Sequence, residues 1–309
     1  MRDPFDALLA TPDLLADLVE AGLPPPLTRP ADAPDAQSDA FAPLLQAIRP
    51  TGTRTPDAPD AMRRRLLARV GASAASARSL HTLRLADTVA DVPAPGVTQR
   101  ALYRASAGRT RRPGEPDAVT LVELAPGAAW PMATALPGTR AARSGAPGLQ
   151  RECLVLRGSL RAGGTLLHVH DYHVVPASAD DGPWSSETGA LLYLRESRPG
   201  GDAPARPTTQ RAAAAPWTAY APGIRRRLMW QQGAQAAMLY HALPGAAVPH
   251  HGHRHDEECL MLAGDFFLDE VLLRPLDYQL APAGTQHHFS CTDTGVLLYA
   301  HGDVDLDLL

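Results

Sequence analysis

The spacing of apolar and polar residues changes along the chain. Near the start, Leu14, Leu15, Leu18 and Val19 recur at helical intervals, with Asp13 placed to cap the run. A second helical stretch, PDAMRRRLLARV, sets Met62, Leu66, Leu67 and Val70 on one face, with Arg63, Arg64, Arg65 and Arg69 largely off it. Residues 24–59 between them are rich in Pro, Asp and Ala and read as an irregular linker with a helical turn at 41–48. From about residue 93 the pattern shortens. Segments become alternating or continuously apolar, separated by Gly, Pro and Asp. That is the signature of β-strands, and helix is hard to place anywhere in this part.

The β part repeats itself. APGVTQRALYR (94–104) parallels APGIRRRLMWQ (221–231), and VELAPGAAWP (122–131) parallels YHALPGAAVP (240–249). ECLVLRGSL (152–160) parallels ECLMLAGDF (258–266), and TGALLYLRE (188–196) parallels TGVLLYAHG (294–302). From Glu152 to Glu196 the copies align without a gap at a shift of 106 residues. Two copies of one structural unit follow, and six or more strands in about 100 residues suggest a small sandwich or barrel such as a jelly roll. The expected organisation is a helical and Pro-rich region over 1–92, a first unit over 93–200, a linker over 201–216 and a second unit over 217–309.

Composition narrows the function. The 309 residues carry a net charge of -4 and a pI near 6.3, so no basic field points to nucleic acid. No apolar run reaches the roughly 20 residues that span a bilayer, and the first residues lack a secretory pattern. A cytoplasmic protein away from membranes is expected. Cys153, Cys259 and Cys291 are too few and scattered for a disulfide framework.

The candidate chemistry lies in HHGHRHDEE (250–258). Residues two apart on a strand face one side, so His251 and His253 can aim at a common point. Glu257 can return to it after a short turn, and His287 closes the site from a separate strand. Imidazole and carboxylate together suit Zn, Fe(II), Mn, Ni or Cu(II). His250, His255, Asp256, Glu258 and His288 fall out of this register and read as a solvated loop or outer strand face, with His255 or His288 as alternatives for a supporting or acid–base role. The first copy has no His in the corresponding loop, Arg151 in place of Glu257 and Asp181 in place of His287. It is read as metal-free, with either an Arg151–Asp181 ion pair in place of the metal or Arg151 turned to solvent. HVHDYH (168–173) resembles a second metal box, but the repeat maps His168, His170 and His173 onto positions that are not ligands. Cys259 and Cys291 are placed by strand alternation near the ligand face, either as redox-sensitive thiols or as small apolar fillers.

Gly245-x5-His251-x-His253-x3-Glu257-x6-Gly264 and the downstream Pro282-x-Gly284-x2-His287 resemble the two motifs of the cupin superfamily. The second motif departs at Leu276, where Gly is usual, and at Cys291, where Asn is usual. With EECLML, DYQLAPAGTQHHF and TGVLLYAHGD in view, the chain resembles a bicupin of the ChrR-like group over about 94–309. The resemblance implies two tandem jelly-roll domains after a small helical extension. It also implies one divalent ion at His251, His253, Glu257 and His287, zinc foremost, with Fe, Mn or Ni as alternatives. ChrR-type anti-sigma factors bind a sigma factor through a zinc-holding helical domain, so a sigma factor or other protein is the expected partner of 1–92. That domain's His-x3-Cys-x2-Cys motif is absent here, since 1–92 contains His81 and no Cys. Either those helices pack without metal or sigma binding has been lost. The alternative reading is a dioxygenase or isomerase for a small oxygenated substrate bound in the second barrel, with His288, Tyr278 or Tyr299 assisting. A homo-oligomer is expected for paired cupins.

Overall fold

The computed structural model describes residues 63–64, 80–106, 111–130, 148–177, 179, 181–198 and 204–308. The stretches expected to be helical, and the Pro-rich segment between them, lie outside the described residues save residues 63 and 64, which are helical. From residue 80 onward the described chain is β apart from two 3-10 turns, Leu85–Asp87 and Ala212–Ala214.

The repeat folds as two tandem jelly-roll barrels, each with one seven-stranded and one four-stranded sheet. In the first unit the large sheet runs Thr208–Gln210, Tyr172–Val175, Gln150–Gly158, Ala190–Ser197, Pro116–Leu124, Val97–Arg104, Ala90–Ala94. In the second it runs His81–Leu83, Tyr278–Ala281, Glu257–Gly264, Val296–Asp303, Gln235–Ala242, Ile224–Gln232, Thr218–Ala221. Neighbouring strands pair antiparallel, as alternating apolar and polar residues favour. Inward-facing residues fill one apolar core inside each barrel, around Val155, Leu192 and Trp184 in the first and around Met261, Phe266 and Leu298 in the second.

The first strand in each of these orders comes from the segment leading into the other unit. His81–Leu83 precedes the first barrel yet pairs with Tyr278–Ala281 of the second, and Thr208–Gln210 precedes the second yet pairs with Tyr172–Val175 of the first. Residues 80–92, expected within the helical and Pro-rich region, are therefore strand and 3-10 turn, and part of the stretch read as a linker belongs to a sheet. An open sheet edge needs a partner for its backbone groups, and matched side chains fix these two. Arg84 Nη1 lies 2.7 Å from Asp277 Oδ2 while Leu85 N–H donates to Oδ1 of the same residue. Arg211 Nη1 lies 2.8 Å from Asp171 Oδ2 while Ala212 N–H donates to its Oδ1.

The large sheets pack on each other through their outer faces, where Leu121, Leu154 and Tyr193 meet Leu239, Leu260 and Tyr299 in one core. A buried polar cluster sits at its centre. Arg195 donates to Glu152 at 2.7 Å and to Glu258 at 2.6 Å. Tyr172 donates to Glu152 and Tyr278 to Glu258, while Tyr193 crosses from the first unit to Glu258. Glu258 is thus on an outer strand face as expected, but that face is covered by the first unit and the residue is fully buried. Burial alone pushes the Glu152 carboxyl up, and Arg195 and His301 overcome it to hold the group well below the usual range.

Candidate metal centre

A short three-stranded sheet carries the site. His251–Gly252 lies between Gln286–His287 and Asp307–Leu308, with His251 directly opposite His287. Glu257 begins the strand Glu257–Gly264 of the large sheet. The structure brings together all four residues named from the sequence. The ring centroids of His251, His253 and His287 are 4.9 to 5.5 Å apart. Glu257 Oε2 is 3.5 Å from His253 Nδ1 and 4.0 Å from His287 Nε2. His251, His253 and Glu257 each offer a ligand atom within 4.8 Å of the others.

The ring orientations follow from hydrogen bonds outside the cluster. His251 Nδ1 bonds the Pro249 carbonyl at 2.8 Å, which leaves Nε2 for the cluster. His287 Nδ1 faces Asp269 Oδ2 at 3.3 Å. Asp269 also accepts the backbone N–H groups of His288 and Phe289. Burial raises the Asp269 carboxyl, but these donors, His287 first, bring it below its ordinary range. Burial holds His253 below the usual imidazole range against the pull of Glu257, which keeps it in the neutral form that binds metals. His253 Nε2 and His287 Nε2 are both buried without a hydrogen-bond partner. Such orphaned nitrogens are costly, and a divalent cation bound to them would satisfy both. The donor set fits a metal.

Asp269 was not found from the sequence, because it lies 18 residues before His287 and meets it only through the fold. Of the out-of-register residues, His255 pairs with Asp303 at 2.5 Å, His250 stacks on His288 with centroids 4.6 Å apart, and Asp256 caps Ala283 N–H. Tyr278 and Tyr299 do not reach the site, since both stand in the cluster between the units. The tyrosines near Glu257 are Tyr220 and Tyr240, which line a small cavity of about 50 Å³ together with His251 and Glu257. Cys259 lines it too, but burial, and then Glu257 and Glu258, push its thiol far up, so it stays protonated and serves as a filler. Ser290 rather than its neighbour Cys291 lines the cavity.

In the first unit, Asp181 accepts from His173 Nε2 at 3.0 Å and from Trp184 Nε1 at 3.1 Å, and Arg151 stands opposite Glu196 across the strand pair. His173 is a buried strand residue tied to Thr209, and the His168 side chain is largely exposed.

Residues 205–305 match the family described as the ChrR cupin-like domain. No curated protein matches the sequence. Among solved structures, the fold is similar to that of a putative dioxygenase from Nostoc punctiforme, with a TM-score of 0.51 and 19% identity over 69% of this chain and 74% of that one. It is also similar to a variant of oxalate decarboxylase from Bacillus subtilis, with a TM-score of 0.50 and 12% identity over 72% of this chain and 77% of that one. Both likenesses establish the cupin fold. Among the described residues no helix is long and apolar enough to cross a membrane.

Proposed function

We propose that this bicupin holds one divalent metal ion in its second unit, ligated by His251, His253, Glu257 and His287, and uses it to bind a small oxygenated molecule. The observation that carries the reading is the pair of buried, unpartnered Nε2 atoms of His253 and His287, on two rings that each lie within 4.0 Å of the Glu257 carboxylate. Zinc is the first candidate, with iron, manganese or nickel next. The oxalate decarboxylase of similar fold is described as having Mn(II) centres. The bound ion would act as a Lewis acid on an oxygen ligand. Pro249 O and Asp269 orient two of the imidazoles, burial keeps His253 neutral, and an apolar cavity lies beside His251 and Glu257.

The ChrR-like domain supports a regulatory role, in which a sigma factor or other protein docks on 1–92 and the second barrel gates that docking. The cavity against two of the ligands favours a second reading, a dioxygenase or isomerase, because a purely structural zinc site is closed by its ligands. Assembly into a homo-oligomer and residence in the cytoplasm complete the proposal.

Elemental analysis of tag-free protein tests it. One equivalent of metal per chain, lost in the His251→Ala/His253→Ala variant, is expected. Zinc directs effort to partner capture, and iron, manganese or nickel to substrate screening under oxygen. Freshly purified wild-type protein without metal sinks the assignment.

A further inference from the structure

The two barrels can be compared position by position. Trp130 pairs with Trp184 across two strands of the first barrel, and their rings meet edge to face with centroids 6.3 Å apart. Both are buried, and Trp184 Nε1 is satisfied by Asp181. The repeat places Val248 and Ser290 at these positions in the second barrel, and they pair in the same register. Two more wall positions shrink as well, from Leu124 to Ala242 and from Leu194 to Ala300. Growth from Leu160 to Phe266 and from Ala162 to Leu268 offsets only part of this. What remains in the second barrel is the cavity of about 50 Å³, lined by all six of the second-barrel residues just named, with His251 and Glu257 on its wall.

Protein interiors are close-packed, whereas this space is partly open and carries a polar anomaly. Ser290 is 1% exposed, and its Oγ has no hydrogen-bond partner. A hydroxyl buried without a partner is unfavourable, so the orphan points to a missing one.

From these observations we infer that the second barrel binds a compact, largely hydrocarbon molecule with a single oxygenated end. The apolar wall takes the hydrocarbon body, and the oxygen takes the hydrogen bond that Ser290 lacks. At about 10–15 Å³ per water-sized group, the cavity of about 50 Å³ admits roughly three to five non-hydrogen atoms. A small dianion such as oxalate has no apolar surface to bury there and meets the Glu257 carboxylate. This inference rests on the proposed function only for the wall it shares, His251 and Glu257, and the cavity can be probed without metal.

The test is a ligand-observed NMR titration of the full chain with acetone, 2-butanone, 2-pentanone, 2-octanone and oxalate, before and after removal of metal by a chelator. Affinity rises about fourfold from acetone to 2-butanone, the worth of one buried methylene, and falls from 2-pentanone to 2-octanone, which outgrow the space. Ser290→Trp or Val248→Phe, which refill the barrel as the first unit is filled, weakens 2-butanone at least about tenfold. Should Ser290→Trp fail to fold, Val248→Phe and the ketone series, which needs no variant, decide. A flat series, folded variants that bind 2-butanone like wild type, or oxalate that displaces 2-butanone overturns the inference. Ketone binding by a chain that holds no metal sustains the cavity and refutes only the metal assignment. A metal-loaded chain that binds no ketone refutes only the cavity.

Discussion

At the scale of the residue, Asp269 sets the orientation of His287. It sits in a left-handed turn with φ of +52° and grips both the imidazole and the two following backbone N–H groups. Asp269→Asn keeps the shape and removes the charge, and metal affinity is expected to fall about 10- to 100-fold, as losses of supporting partners do. Isothermal titration of metal-stripped protein measures it, and unchanged affinity would discard the role. His170 carries a separate prediction. It and its repeat partner Leu276 both adopt φ of +65°, so the left-handed angle persists where the cupin motif has glycine. Burial, and then Arg227, push the His170 imidazole down to about 4 from 6.5, against the pull of Asp171. A lowered histidine contributes stability that is present above 6.5 and lost as pH falls through about 4. Over that window the group accounts for up to ~3 kcal/mol. His170→Asn tolerates the left-handed angle and does not titrate, so the fall in Tm between pH 6.5 and 4 should become shallower than in wild type.

At the scale of the element, the network between the large sheets is organised around Arg195. Arg195→Met leaves Glu152 and Glu258 buried without their cation, and a loss of about 3–5 kcal/mol is expected on urea unfolding. Adding Glu152→Gln and Glu258→Gln should recover most of it, because the amides still accept from Tyr172, Tyr193 and Tyr278 and no charge remains uncompensated. A triple variant no more stable than the single one would show that packing, not charge, is at stake. The exchanged edge strands give a matching test. Asp277→Ala removes the acceptor for Arg84, for Leu85 N–H and for Arg274 N–H in its own turn, and a loss of about 2 kcal/mol is expected, since the buried Leu85 donor is orphaned. Thermal unfolding that is unmoved by the change would mean the strand is held by its ladder alone.

At the scale of the whole molecule, the two barrels share a core and exchange edge strands, so neither is self-contained. Full-length protein should unfold in one cooperative transition by both calorimetry and tryptophan fluorescence. A fragment covering residues 204–309 lacks the strand His81–Leu83 and exposes Leu260, Tyr278 and Tyr299. It should bind a hydrophobic dye and show no sharp transition. Two separate transitions in the full chain, or a stably folded fragment, would show that the interface is dispensable.

The sequence by itself determined what depends on local spacing. Strand alternation, the 106-residue shift of the repeat, and His251, His253, Glu257 and His287 as a set were legible because cupin motifs are short and their geometry follows from strand period and turn length. Tertiary structure alone decided what depends on residues far apart in the chain. Arg195 meets Glu258 across 63 positions, Arg84 meets Asp277 across 193, and Thr208–Gln210 joins a sheet that begins far upstream. The outer face that carries Glu258 reads as solvated from one strand and becomes buried only when a second sheet covers it. Patterning distinguishes the two faces of a strand, but only packing decides what each face meets.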